Sequence, residues 1–254
     1  MDRLTARIAT ITVSAIPLTK QFNTVQIGNH LLAELPDTVL HCLKANLQPV
    51  PLRSGQWLFR AHDPLTDVYF PESGVVSMVV HLRRGEALDV GIVGNDGVVG
   101  IPTGSRTDAM ACDGVVQIDG VAQRIDADLV RRQMALHEPL DALLSSFAHL
   151  MLSRSMQSAA CIAFHSAKER CARWLLMTQD LVGSDELPLT HDRLARMLGV
   201  RRVSVTLVLG TLVAAGLVGR SRGRLVIRNR SGLERASCEC YQATRDERLR
   251  LLGF

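Results

Sequence analysis

Apolar residues along this chain follow three rhythms in three successive stretches. Between residues 50 and 120 they come in short runs broken by Ser54-Gly55, Asp63-Pro64, Glu72-Ser73-Gly74, Arg84-Gly85, Asn95-Asp96-Gly97 and Asp113-Gly114. Such clusters are turn formers, because Gly tolerates positive φ, Pro presets it and Asn or Asp bonds its own backbone. The runs at 75–82 and 88–93, rich in Val and Ile, predict strands, and their spacing predicts a sandwich or jelly roll. Segments 29–46 and 126–136 read as helices that bracket it.

From 139 to 165 the rhythm becomes that of one long helix. Leu140, Leu143, Leu144, Phe147, Leu150, Met151 and Leu152 make a broad apolar face in its first half, and Met156, Ala159, Ala160 and Ala163 extend it as a flatter stripe. Strict heptads are absent, so periodicity leaves both a core role and a dimer seam open. Residues 166–180, with Trp174 and Leu175, begin the next helix.

Residues 189–205, LTHDRLARMLGVRRVSV, carry the pattern of two short helices around a tight turn at Gly199. Thr190 is placed as an N-cap whose hydroxyl accepts from a first-turn amide. Leu189 and Leu194 have the spacing of a hydrophobic staple, although Arg193 stands where a capping box needs Glu or Gln. Leu194 and Leu198 share a face, Ala195 leaves room for a second helix, and Gly199 can take the left-handed conformation that ends the first. The second helix is predicted from near Arg201, with Val205, Val208, Leu209 and Leu212 on its buried face and Val203, Thr206, Leu207 and Gly210 opposite. An Arg-rich, Gly-centred hairpin, GRSRGRLVIR, follows at 219–228. These are the parts of a winged helix-turn-helix, which lays a helix in the DNA major groove and a hairpin on the phosphates.

On that reading double-stranded DNA is the partner. Arg202, Val203, Thr206 and Leu207 are the base-reading candidates. Arg202 can donate two bonds to guanine O6 and N7, and Val203 or Leu207 can pack on thymine methyl groups. Arg201, Ser204, Arg220, Arg222 and Arg224 are the phosphate-contacting candidates, which supply affinity and register but little sequence information.

Two arginines at a helix start are often merely solvated, so the charge distribution matters. The net charge of +4 is modest, but residues 1–166 hold 13 Lys and Arg against 16 Asp and Glu, and residues 167–254 hold 16 against 9. Within 187–235 there are ten arginines and only Asp192 and Glu234. A basic half attached to an acidic one is the electrostatic footprint of a nucleic-acid-binding domain. No apolar run is long enough to span a bilayer. The stretch at 8–16 after Arg3 and Arg7 is diluted by Thr10, Thr12 and Ser14, so residues 1–26 read as a tail, and a cytoplasmic location with no membrane partner is expected.

The order of these parts resembles the Crp/Fnr superfamily of bacterial transcription regulators. VYFPESGVVSMV at 68–79 resembles the strand pair that opens that family's roll, KERCARWLL at 168–176 the helix that starts its DNA-binding domain, and 189–205 its helix-turn-helix. The resemblance covers residues 27–233. It implies a homodimer through the 139–165 helices, a near-palindromic operator, and contact with RNA polymerase. Arg202 falls where the family's guanine-reading arginine sits. Val203 stands where many members have Glu and Leu207 where many have a second Arg, so the operator should differ from the cyclic-AMP receptor consensus. Cyclic-nucleotide binders surround the phosphate with a Gly-Glu pair and an Arg-Ser/Thr-Ala run. VGNDGVVGIPTGSRTDAMACDG has no Glu, and Arg106 is followed by Thr107-Asp108, which argues against a cyclic nucleotide. The effector is left unknown.

The six cysteines, Cys42, Cys112, Cys161, Cys171, Cys238 and Cys240, are scattered, which argues against a disulfide framework. None precedes Cys42, so the family's N-terminal iron–sulfur site is not expected. Cys238-Glu239-Cys240 is a suggestive pair, but with no partner pair nearby in sequence it reads as reduced, and no metal is expected. A cupin enzyme needs clustered histidines and a carboxylate. Only His62 and His81 fall in the roll, so no catalytic residues are assigned. His149 and His165 on the long helix read as packed or solvent-facing, without a haem motif.

The expected architecture is α+β. A tail at 1–26 precedes a jelly-roll, cyclic-nucleotide-binding-like sensor domain at 27–138 and a dimerisation helix at 139–166. A winged helix-turn-helix at 167–233 and a C-terminal segment at 234–254 complete it. The expected function is DNA-binding transcription regulation without cofactor or catalysis. The alternative is a ligand- or redox-responsive binding protein of the same fold whose main output is not transcription.

Overall fold

The computed structural model describes residues 28–102, 109–221 and 224–254. The tail at 1–26, the Arg106-Thr107-Asp108 run and the hairpin tip at Arg222 and Gly223 lie outside them.

Two short helices, α1 (His30–Ala33) and α2 (Asp37–Lys44), lead in. The sequence pattern reads 29–46 as helical; the chain breaks at Pro36, which takes φ −54°, ψ 141° as the N-cap of α2. A proline ring removes a helical donor and pushes the residue before it out of the helical region. Strands β1 (Gln48–Leu52), β2 (Trp57–Phe59), β3 (Asp67–Pro71), β4 (Val75–His81), β5 (Ala87–Val93), β6 (Asp113–Ile118) and β7 (Gly120–Asp126) follow. They pair antiparallel in two sheets, β1-β7-β3 and β2-β6-β4-β5, as the turn spacing predicts for a roll. Helix α3 (Ala127–Leu136) closes it, capped by the Asp126 carboxylate on the Leu129 amide.

Helix α4 (Glu138–Phe164) is the long helix. Its Leu140, Leu144, Phe147 and Leu150 are buried in the roll's core with Val68, Phe70, Val76, Met78 and Ile125. Phe147 explains the glycine of Asn95-Asp96-Gly97: a Cβ at Gly97 would clash with the edge of the Phe147 ring. Ser166 starts α5 (Ala167–Val182) with a capping box to Glu169, the reciprocal bonding that helix starts favour. Next come β8 (Glu186–Leu187), α6 (His191–Leu198), α7 (Arg202–Ala214), β9 (Val218–Ser221) and β10 (Arg224–Ile227), the last three strands pairing in the order β8-β10-β9.

The roll does not end at solvent on that side. Val75, Ile92 and Ile118 share a second core with Trp174, Leu175, Leu181, Leu194, Leu198 and Leu209. Strand β6 is therefore buried along its length, and β4 over its first five residues. This is why 75–80 reads as a nearly unbroken apolar run rather than an alternation.

The last residues return to the roll. Helix α8 (Arg230–Ala236) is followed by α9 (Cys240–Leu252), which lies along α4. Leu251, Leu252 and Phe254 reach the roll's core, and the Phe254 ring meets His30 edge-on at 6.1 Å between centroids.

Candidate nucleic-acid interface

Thr190 caps α6: its side chain accepts from the Arg193 amide at 3.3 Å. Gly199 ends the helix at φ 60°, ψ 40°, donating back to the Ala195 and Arg196 carbonyls. Helix α7 starts two residues later, bent 100° from α6, within the range of helix-turn-helix motifs. Val205, Leu209 and Leu212 are fully buried and Val208 is half-buried, so the predicted inner face is the observed one.

The opposite face is free. Arg201 is the N-cap residue of α7 and Arg202 opens its first turn; both are exposed. Val203 and Leu207 are 72% and 69% exposed, unusual for large aliphatic side chains on a helix with a full core behind it. Thr206 lies between them, its hydroxyl 3.2 Å from His191 Nδ1, while Ser204 is half-buried. Arg202 Nε lies 3.5 Å from Asp192 on α6, both side chains about two-thirds exposed. Arg220 on β9 and Arg224 on β10 are exposed, and Arg224 pairs with Glu186 at 3.3 Å. One free face of α7 and the adjoining hairpin thus bring together every base-reading candidate, Arg201, Arg220 and Arg224. Arg222 lies outside the described residues.

The sequence does not reveal how α6 is held. Arg193 donates from both terminal nitrogens to the roll, to the Gln117 carbonyl and to the Ser54 hydroxyl. Gln117 in turn reaches Met197 Sδ at 3.0 Å. Beside them Asp89 on β5 is buried with neither carboxylate oxygen hydrogen-bonded, and Arg196 Nε lies 4.0 Å away. A groove of about 630 Å³ opens next to this contact, lined by Leu82, Leu88, Val90, Ile162, Val200 and Arg201.

Burial raises the Asp89 pKa, against the nearby Ser77 hydroxyl and the pull of Arg196, Arg193 and His81. A carboxyl whose folded pKa is raised stabilises the fold fully below its unfolded value, about 4, and loses that contribution as pH rises through the folded value. Asp89→Asn is therefore expected to gain stability relative to the native chain as pH rises above about 4. Urea unfolding of both proteins across that range checks it; parallel curves would show that Asp89 is solvated.

Elsewhere one expectation needs correction. Cys238 and Cys240, read as a pair without partners, lie beside Cys161 and His165, and all four donor atoms fall within 4.8 Å of one another. The C-x-C pair and the four-residue spacing of Cys161 and His165 were the only linear signals, because the two halves are over seventy residues apart.

Residues 169–236 match the family model of the Crp-like helix-turn-helix domain. No curated protein sequence matches the chain. Among solved structures it is similar to FixK2 from Bradyrhizobium japonicum, with TM-score 0.67 and 18% identity over 76% of this chain and 98% of that one. It is also similar to the c-di-GMP responsive global regulator CLP of Xanthomonas campestris, with TM-score 0.63 and 19% identity over 76% and 99%. A third is TTHB099, a CRP-family transcriptional regulator from Thermus thermophilus, with TM-score 0.63 and 20% identity over 74% and 96%. At those identities the structures speak for the fold, and the domain match speaks for the helix-turn-helix within it. The chain therefore carries a Crp-like helix-turn-helix domain at residues 169–236, within a fold that it shares with these regulators.

Proposed function

We propose that the chain regulates transcription as a homodimer on a near-palindromic operator. It does so without catalysis, in the cytoplasm, with RNA polymerase as a further partner. The carrying observation is the free face of α7, which presents Arg202, Val203, Thr206 and Leu207 together while the opposite face is buried. On this reading Arg202 leaves Asp192 and reads a guanine, Val203 and Leu207 pack on thymine methyl groups, and Thr206 contacts a base edge. Arg201, Ser204, Arg220, Arg222 and Arg224 contact phosphates. The domain limits follow the same reading: a tail to residue 26, a sensor roll at 27–138, a dimerisation helix at 139–166, a DNA-binding domain at 167–233 and a C-terminal segment from 234.

The second copy is assigned to the outer face of α4, where Leu152, Met156, Ala159, Ala160 and Ala163 are exposed. On this reading the two α7 helices of the dimer enter successive major grooves, about 34 Å apart along the DNA. No single helix among the described residues is long and apolar enough to cross a membrane.

Selection of bound fragments from random DNA tests the proposal: a two-fold motif supports it, and absence of binding at low salt sinks it. On the selected site Arg202→Ala should cost about 1–3 kcal/mol per half-site and relax discrimination at one base pair. Arg224→Ala should weaken all sequences alike and flatten the salt dependence. If Arg202→Ala acts uniformly on every sequence, its base-reading role is wrong.

A further inference from the structure

The last turn of α4 carries Cys161, and His165 sits at the break before α5. Cys238 lies between α8 and α9, and Cys240 opens α9. Folding brings these two segments together, with Cys161 Sγ 3.5 Å from Cys238 Sγ and Cys240 Sγ 3.5 Å from His165 Nδ1. The three cysteines are almost fully buried and form a small cluster of their own.

We propose that Cys161, Cys238, Cys240 and His165 Nδ1 bind one zinc-class divalent cation in a Cys3His site. Zn–S bonds of about 2.3 Å place tetrahedral thiolate ligands about 3.8 Å apart, which matches the observed spacing with little movement. Iron–sulfur clusters interpose several iron and sulfide atoms and need their ligands spread wider than donors gathered within 4.8 Å.

Two surrounding groups fit the same ion. The other ring nitrogen of His165, Nε2, lies 3.1 Å from a Glu239 carboxylate oxygen. A carboxylate there holds the imidazole in the tautomer that leaves Nδ1 free to ligate, as second-sphere carboxylates do at zinc sites. Arg173 is 1% exposed, its Nε has no hydrogen-bond partner, and its Nη2 lies 3.4 and 3.5 Å from the hydroxyls of Ser158 and Thr244. No ion pair among the described residues includes it. A buried guanidinium needs a counter-charge. Three thiolates around a divalent ion leave one net negative charge beside it.

Binding releases the thiol protons to solvent and involves no change of oxidation state. The ion ties the end of α4 and the start of α5 to the C-terminal segment.

The test uses the full chain, purified reduced and without a metal-affinity tag. Metal analysis is expected to give one zinc per chain. After zinc removal, added Co²⁺ should give the thiolate charge-transfer and intense visible bands of a tetrahedral site, which added Zn²⁺ then bleaches. Cys240→Ser and His165→Asn should lose those bands, while Cys42→Ser and Cys112→Ser should retain them. Glu239→Gln should keep the stoichiometry and bind about tenfold more weakly. Absence of both zinc and cobalt binding in the reduced native chain overturns the proposal without recourse to any variant. Iron with acid-labile sulfide in place of one ion overturns it equally.

Discussion

Asp96→Ala is expected to destabilise the protein by about 3–5 kcal/mol, the range found when one member of a buried ion pair is removed. Its side chain is 2% exposed and accepts from Arg154 Nη2 of α4 at 3.1 Å, with Arg248 Nη1 of α9 at 3.7 Å. One carboxylate of the roll therefore holds the long helix and the C-terminal helix. Truncation leaves the Arg154 guanidinium, itself 8% exposed, charged and unpaired in a low-dielectric setting. Most of the cost is that stranded charge, so the Asp96→Leu, Arg154→Leu double variant should lie closer to the native chain than either single change. Thermal and urea unfolding read the effect, with a fall in Tm of about 10 °C expected for a chain of this size. A loss under about 1 kcal/mol would show that water reaches Arg154 and that the pair does not organise the junction.

Met156→Glu is expected to dissociate the proposed dimer, weakening it by more than about a hundredfold, or 3 kcal/mol. Met156 lies mid-way along the exposed stripe of α4, one helical turn beyond Leu152. In a two-fold pairing along this stripe the introduced carboxylates would be desolvated against an apolar surface and close to each other. Because the residue is 58% exposed in the single chain, folding of the protomer should be untouched. Analytical ultracentrifugation gives the oligomeric state and circular dichroism the fold. Operator affinity should fall with the dimer, since one half-site gives up the other half's contacts. A variant that stays dimeric would move the interface off this face.

The helix-turn-helix was legible because its determinants are local. Thr190, Gly199 and the Val205, Leu209, Leu212 spacing act within a few residues of one another, and the structure places cap, turn and buried face where the pattern put them. The roll was legible for a related reason, since clusters such as Arg84-Gly85 turn the chain whatever lies across the sheet. Pro36 shows the limit even of local reading: an apolar periodicity that continues through a proline hides the break it makes.

Residue pattern alone thus determined the order of elements from the roll to the basic hairpin and the exposed face of α7, set by spacings shorter than a few turns. Folding decided what distant segments do to each other. It buried both faces of β4, set Arg193 of α6 on the roll and returned α9 along α4. It also joined Cys161 and His165 to Cys238 and Cys240, a grouping no linear motif announces. Contacts across more than seventy residues depend on how whole elements pack. A cysteine's neighbours there are set by the register of two helices rather than by the residues on either side of it.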